Sequence, residues 1–289
     1  MRIMLYMRYI ALSFTFLLFM GCGADLETTS PIRTDNAVST SLCGDTYLQA
    51  FMPDHIAALS WQSDSPLSAA TPQQKHLPQT TPSAENLLSW ANHFILFGPG
   101  EGSQIQSHLP RTYQLTWTES FEGVRDNAIA LTNAMGVPND TVKDWYAAVT
   151  RLKEHSVLTP KPHILYLTPA GGSAGRHTFV EAVMTLAGGQ NVNTASGWHS
   201  PSIETLLSYT PDIIVTSFTN NSYHSRSHYA SPVLNEHFKD VPIVEVDGKY
   251  WPCAGPNLLK AAEILQDAIR IWHETQTQTH LPKEQNDDA

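Results

Sequence analysis

Short apolar runs of five to seven residues, each bounded by turn-forming residues, recur along the chain and alternate with stretches of helical period. The candidate strands are Ile56–Ser60, His93–Phe97, Tyr113–Trp117, His163–Thr168, Asp212–Phe218 and Pro242–Val246. Alternation of this kind predicts βαβ units and parallel sheets, hence an α/β fold. The middle of the chain, Phe121 to His155, holds no strand-like run and is helix-forming except at Gly136-Val137-Pro138. It therefore reads as a helical connector. Near the end, Leu258, Ala261, Ala262, Leu265, Ile269 and Trp272 share one face of a helix expected over Pro256–His273, with the proline in its first turn.

An internal repeat divides this pattern in two. Ser83-Ala84-Glu85-Asn86-Leu87-Leu88-Ser89-Trp90 matches Ser202-Ile203-Glu204-Thr205-Leu206-Leu207-Ser208-Tyr209, and each copy leads into an apolar strand. A serine that caps each helix leaves the glutamate in the first turn, where it complements the positive end of the helix dipole. The expected organisation is an N-terminal lobe at 38–118, a connecting backbone helix at 119–160 and a C-terminal lobe at 161–255. A closing helix at 256–274 and a polar tail at 275–289 follow.

The N-terminus adds a compartment. Arg2 and Arg8 precede the apolar stretch Tyr9–Met20, which is too short to span a bilayer but suits the apolar region of an export signal. The stretch ends in Phe19-Met20-Gly21-Cys22, which resembles the lipobox of a bacterial lipoprotein. Residues 1–21 thus read as a signal peptide, Cys22 as the lipidation site and 22–37 as a flexible tether. Cleavage nearby by ordinary signal peptidase is the competing reading. The expected location is the periplasm or cell envelope, with a lipid anchor as the membrane contact. The net charge of −10 and the lack of a basic run argue against a nucleic-acid partner. Three cysteines fit neither a disulfide scaffold nor a zinc ribbon.

The run Ile164-Leu165-Tyr166-Leu167-Thr168-Pro169-Ala170-Gly171-Gly172-Ser173-Ala174-Gly175-Arg176-His177-Thr178-Phe179 and the later Leu186-Ala187-Gly188-Gly189-Gln190-Asn191 resemble the C-lobe signature of one protein family. That family is the periplasmic solute-binding proteins of cobalamin, iron-siderophore and haem ABC importers. Ser202–Leu207 followed by Pro211–Val215, and Trp251-Pro252-Cys253-Ala254-Gly255-Pro256, resemble it too. Asn92-His93 and His177 depart from the family's usual residues. The resemblance implies two α/β lobes with parallel sheets, joined by a single long backbone helix, with the ligand held in the cleft between them. It also implies a partner, a permease dimer with its ATPase, seated on Glu85 and Glu204.

Ligands of open α/β sheets bind beyond the carboxyl ends of strands. The candidate ligand residues are accordingly Trp61, Gly98, Glu101, Arg176, His177, Trp198, His199, Phe218, Tyr223 and Trp251. Their aromatic content suits a large planar ring. Few arginines fall on these loops, so a cobalamin-like corrinoid stands first and a ferric siderophore next. Haem or a metal ion, held by cleft His or Cys residues, is the alternative. No resident cofactor or metal is expected. Cys43 and Cys253 are expected to form a disulfide, since two thiols in an oxidising compartment usually pair; ligation of a soft metal with His177 is the competing role. An enzymatic reading also exists. Gly171-Gly172-Ser173-Ala174-Gly175 satisfies the nucleophile-elbow pattern, and Asp212 or Asp247 with His273 would complete a hydrolase triad. No HGGG-type oxyanion loop precedes Ser173, so binding without catalysis is preferred.

Overall fold

The computed structural model describes residues 36–102, 104–168, 171–218 and 231–279. The signal peptide, Cys22, nearly all of the expected tether, Tyr223 and the last ten residues lie outside the described residues, as does the side chain of Phe218.

The N-terminal lobe opens with β1 (Ala37–Ser39), α1 (Leu42–Phe51), β2 (Ile56–Ser60), β3 (Gln79–Thr80), α2 (Ala84–Ser89), β4 (Phe94–Phe97) and β5 (Thr112–Gln114). The five strands form one parallel sheet in the order β3-β2-β1-β4-β5. Serine caps start its helices: Ser41 Oγ accepts from the Gly44 N–H, and Ser83 Oγ from the Asn86 N–H. The strand β1 escapes a hydrophobicity scan because it is three residues long and only Ala37 and Val38 are apolar. Both are fully buried in the centre of the sheet.

The stretch expected to supply one connecting helix instead holds two, α3 (Phe121–Met135) and α4 (Asp140–His155). Gly136 ends α3 at φ 72, a left-handed conformation that glycine adopts without a Cβ clash. Pro138 then cannot continue the helix. The bridging role falls to α4. Val142 near its start packs into the N-lobe core with Leu48, Phe51 and Met135. Val149, two turns on, packs into the C-lobe core with Val183 and Leu265. Between them, Trp145 touches both cores, and its indole N–H donates to the carbonyl of Pro256 at 3.1 Å.

The C-terminal lobe contains β6 (His163–Tyr166), β7 (Ser173–Ala174), α5 (Phe179–Ala187), β8 (Gln190–Asn191), β9 (Trp198–His199), α6 (Ile203–Leu207), β10 (Ile213–Phe218), α7 (Pro232–His237), β11 (Ile243–Asp247) and α8 (Leu258–Thr279). Its main sheet is parallel in the order β11-β10-β6-β8, and β7 pairs antiparallel with β9 beside it. The helix α8 lays Leu258, Ala261, Ala262, Leu265 and Ile269 against α5, and all five are buried. It begins two residues after Pro256 and runs through Thr279, so 275–279 continue the closing helix rather than belonging to a polar tail. The repeat noted in the sequence is structural. Ser202 Oγ caps α6 by accepting from the Thr205 N–H, as Ser83 caps α2, and each helix feeds a central strand of its own sheet.

Cys43, in the first turn of α1, and Cys253, in the loop after β11, form a disulfide with their Cα atoms 5.3 Å apart. The bond ties the two lobes directly. Cys253 and Ala254 hold left-handed backbone at φ 64 and 46, which costs a non-glycine residue on the order of 1–3 kcal/mol. The crosslink and the packing around it must hold that strain. The bridge closes a separation of 210 residues, so its loss is expected to lower the unfolding free energy by up to about 5 kcal/mol. Urea unfolding of Cys43→Ser combined with Cys253→Ser checks this; a midpoint equal to the parent's would show that the bridge does not restrain the unfolded chain.

Candidate functional site

The two sheets turn their carboxyl ends toward each other. Cys43 follows the carboxyl end of β1, and Cys253 follows that of β11, so the disulfide joins the two strand-end faces. A second tie has the same sense. Glu119, beyond the carboxyl end of β5, accepts the N–H of Phe179, the first residue of α5, at 2.6 Å. The space enclosed between these faces is the candidate binding cleft, in the position that open parallel sheets reserve for ligands.

In the N-lobe the strand order reverses between β1 and β4. This crevice is closed from within. Glu101 Oε2 accepts from the Thr40 hydroxyl at 2.7 Å and from the Gly98 N–H at 2.9 Å. A side chain at Gly98 would strike Ser41 Oγ, so the loop sits against α1 only with glycine there. Glu101 and Gly98 thus fix this loop against the amino end of α1, and that carboxylate oxygen is already engaged. Beneath them, buried Asp45 accepts the Ser60 N–H at 2.8 Å and the Ser60 hydroxyl at 2.6 Å. Burial pushes its carboxyl up to about 6, against the opposing pull of the Ser60 and Ser39 hydrogen bonds. Beside this polar floor, Trp61 at the carboxyl end of β2 remains 55% exposed.

The C-lobe presents a small aromatic cluster. Trp198 on β9 is 47% exposed, and its ring lies 5.1 Å from that of Phe179 and 6.1 Å from that of Tyr166. Tyr166 meets Trp251 on its other side at 5.5 Å. Burial pushes the Tyr166 phenol up to about 12, against a hydrogen bond with Ser217, so it stays neutral. Trp251 is only 6% exposed and belongs to the core. Its expected place on the cleft wall is therefore corrected. Its ring packs on Tyr166 within the C-lobe core, just before the left-handed residues Cys253 and Ala254.

Arg176 and His177 are both exposed just before α5. Arg176 Nε donates to the Thr194 carbonyl at 2.7 Å, and His177 sits at φ 65 with its N–H held by Glu181 at 2.8 Å. His199 is less available. Asn193 Nδ2 approaches His199 Nε2 at 3.3 Å, and Nδ1 faces the Gly197 carbonyl at 3.4 Å, which fits the tautomer protonated at Nδ1. Among the described residues, no group of three His, Cys, Asp or Glu side chains is placed to hold a metal ion. The Cys43–Cys253 bridge also removes the thiolates that the metal reading needed.

The hydrolase reading fails on geometry. Ser173 is fully buried on β7, where its hydroxyl donates to the Tyr166 carbonyl at 2.7 Å and accepts from Asn193 Nδ2 at 3.0 Å. Asp212 lies at the amino end of the sheet, accepting the His163 N–H at 2.7 Å, while Asp247 pairs with Lys249 at 3.0 Å. Neither carboxylate lies beside Ser173 with His273.

Two residues of the cleft went unmarked in the sequence. Trp117 was counted as the end of a strand, but β5 stops at Gln114 and Trp117 emerges 56% exposed. Its indole N–H donates to Glu119 Oε1 at 2.8 Å. The only sequence signal was a tryptophan and an acid just before the serine that caps α3.

No protein-family model matches the sequence, and no curated protein does. Solved structures do. A periplasmic heme-binding protein from Pseudomonas aeruginosa superimposes with a TM-score of 0.63 at 19% identity, over 81% of this chain and 92% of that one. The periplasmic vitamin B12-binding protein BtuF of Vibrio cholerae gives 0.64 at 18%, over 84% and 100%. The periplasmic heme-binding protein HutB of Vibrio cholerae gives 0.67 at 14%, over 81% and 99%. The chain has the fold of these periplasmic binding proteins. In this chain Trp61, Trp117 and Trp198 stand exposed near the strand-carboxyl ends of the two lobes.

The buried carboxyl at the N-lobe floor makes a prediction about pH. A folded-state value near 6 against an ordinary 3.8 means that the native state holds this proton more tightly than the unfolded chain does. Its contribution is therefore present below pH 4 and lost as pH rises through 6, on the order of 3 kcal/mol in all. Asp45→Asn keeps an acceptor for the Ser60 N–H and carries no charge. Its stability relative to the parent is expected to rise by that amount between pH 4 and pH 7. Denaturant unfolding at both pH values checks it, and a difference independent of pH would refute it.

Proposed function

We propose that this protein is the solute-binding component of an ATP-driven importer and that it captures a planar metal chelate between its lobes. The observation that carries the reading is the set of three exposed tryptophans, Trp61, Trp117 and Trp198, on the strand-end side of both lobes. Exposed indoles are costly surface in a free domain, and they supply large, rigid, flat contact area to a macrocycle. The solved structures with this fold include proteins described as binding heme and vitamin B12, which supports the same class of cargo.

Charge orders the candidates. A tricatecholate siderophore needs clustered cations, whereas the described strand-end loops offer Arg176, tied to Thr194, and Lys249, paired with Asp247. A corrinoid carries little net charge and brings its own cobalt ligands, so it stands first. Haem is the second reading, favoured by exposed His177, whose imidazole stands ready for an axial bond. Export and a lipid at Cys22 would place the protein in the cell envelope beside its permease.

Titration calorimetry and absorption spectra with cyanocobalamin, haemin and a ferric siderophore test the cargo. Cyanocobalamin is expected to bind with micromolar affinity or better, on the order of −8 kcal/mol. Trp61→Ala and Trp198→Ala should each weaken it at least fivefold, as truncation of buried aromatic anchors does. A haemin complex whose Soret band shifts on His177→Ala would reverse the order, and no binding to any of the three by folded protein would sink the reading.

Glu85 and Glu204 supply the second test. Both are exposed in the first turn of equivalent helices, whose amino ends lie on the strand-carboxyl side of each lobe. The Glu204 carboxyl is held below its ordinary range by its own backbone N–H and the Ser202 hydroxyl, so it stays ionised. Two like acids, one per lobe, suit paired basic sites on a dimeric permease. Glu85→Ala with Glu204→Ala should leave ligand affinity unchanged and abolish uptake in cells; normal transport at normal protein level would overturn the docking role.

A further inference from the structure

Glu119 stands between the two lobes with both carboxylate oxygens committed. Oε1 accepts the indole N–H of Trp117 at 2.8 Å, and Oε2 accepts the backbone N–H of Phe179 at 2.6 Å. These partners lie on different lobes and belong to different parts of the cleft wall. Trp117 is more than half exposed, and its indole N–H bond to Glu119 orients a ring that solvent would otherwise leave free. Phe179 is the first residue of α5, and its ring packs on Trp198, the exposed indole of the C-lobe. The turn just before it carries Arg176 and His177, with His177 in left-handed backbone.

The charge suits its position. The first N–H groups of a helix have no partner within the helix, and a carboxylate there is favoured by the dipole. Thr178 Oγ1 already accepts the Glu181 N–H, so Glu119 adds a second cap from outside the lobe. A carboxylate is also well matched to two N–H donors arriving from different directions, because it accepts at both oxygens and donates nothing. An amide in its place keeps one good acceptor and turns an N–H₂ toward the other donor. An alanine keeps neither bond.

We propose that Glu119 is the positioning residue of the cleft, a latch that sets the spacing between the Trp117 wall and the Phe179–Trp198 wall and so selects the thickness and orientation of the ring bound there. This rests on the reading of the cleft as a ligand site, and it adds that the fit is set by a residue that need not touch the ligand. The disulfide and Trp145 hold the lobes at the hinge. Loss of the latch therefore frees the Trp117 wall from the Phe179–Trp198 wall without unfolding the protein.

The test uses the full-length chain with its disulfide intact, as parent, Glu119→Gln and Glu119→Ala. Without ligand, nuclear magnetic resonance follows exchange of the Phe179 amide and the fluorine signal of Trp117 after 5-fluorotryptophan labelling. In Glu119→Ala the Phe179 amide is expected to exchange at least tenfold faster, while the amides of β6 stay at the parent rate. The Trp117 signal should move to that of a free, solvated indole, with Glu119→Gln intermediate in both. With cyanocobalamin or haemin, whichever the parent binds, dissociation should quicken at least tenfold in Glu119→Ala and less in Glu119→Gln. Parent-like exchange and fluorine signals in Glu119→Ala would overturn the latch. Faster exchange with an unchanged dissociation rate would reduce Glu119 to a local helix cap and overturn its positioning role. If the parent binds neither compound, the cargo reading fails, and the exchange and fluorine measurements alone decide the latch.

Discussion

Everything in the cleft depends on how the amino end of α1 is joined to the loop before α8. Cys43 and Cys253 make that joint covalent, and the Trp145 indole bonded to the Pro256 carbonyl braces it from α4. The chain accepts two consecutive left-handed residues, Cys253 and Ala254, to bring the loop there. With this joint in place the strand-carboxyl faces of two separate sheets are held toward each other. Without it, only α4 and the Glu119–Phe179 bond would tie the two lobes to each other.

The two lobes solve the problem of a strand-end surface differently. The N-lobe spends its polar groups inward: Thr40, Gly98, Glu101, Ser60 and Asp45 satisfy one another and make a stiff floor. Buried polar groups bonded in this way specify one arrangement, because any shift strands a donor or an acceptor in low dielectric. The C-lobe instead packs aromatic rings edge to face, from Trp251 in the core through Tyr166 to Trp198 at the surface. The N-lobe thus sets exposed Trp61 and Trp117 beside a fixed polar floor, and the C-lobe sets Trp198 beside exposed Arg176 and His177. The ligand class proposed above, a flat ring with polar edges, suits that mixture.

The Gly-Gly-Ser-Ala-Gly run shows why a motif needs its context. Its spacing satisfies a nucleophile elbow, yet Ser173 ties β7 to Tyr166 and Asn193 from a fully buried position. Gly171 turns the chain at φ 82, and Gly175 allows a close approach to the carbonyl of Ala195, where a side chain would collide with backbone. Small residues were needed for packing at a sheet edge, and the pattern resembles chemistry only because both uses require a tight turn.

Local physics was enough for much of this protein. Apolar runs placed β2, β4, β6 and β10 within a residue or two, because each buries a continuous stripe whatever its neighbours are. The serine-capped repeats and the buried face of α8 were legible for the same reason, since capping and helical period act over a few residues. Strands such as β1, β3 and β8 were not, because two or three residues carry no period and are defined only by the strands they pair with. The break at Gly136 was visible in the sequence, but the transfer of the bridging role to α4 required knowing which core each helix entered. Site residues divided along the same line. Burial of Trp251 depends on Tyr166, 85 residues away, and the commitment of Ser173 and His199 depends on how β7 and β9 fold back on Tyr166 and Asn193. Glu119 opens the connector and Phe179 lies in the C-lobe, 60 residues on, so only the folded chain brings that carboxylate to that amide.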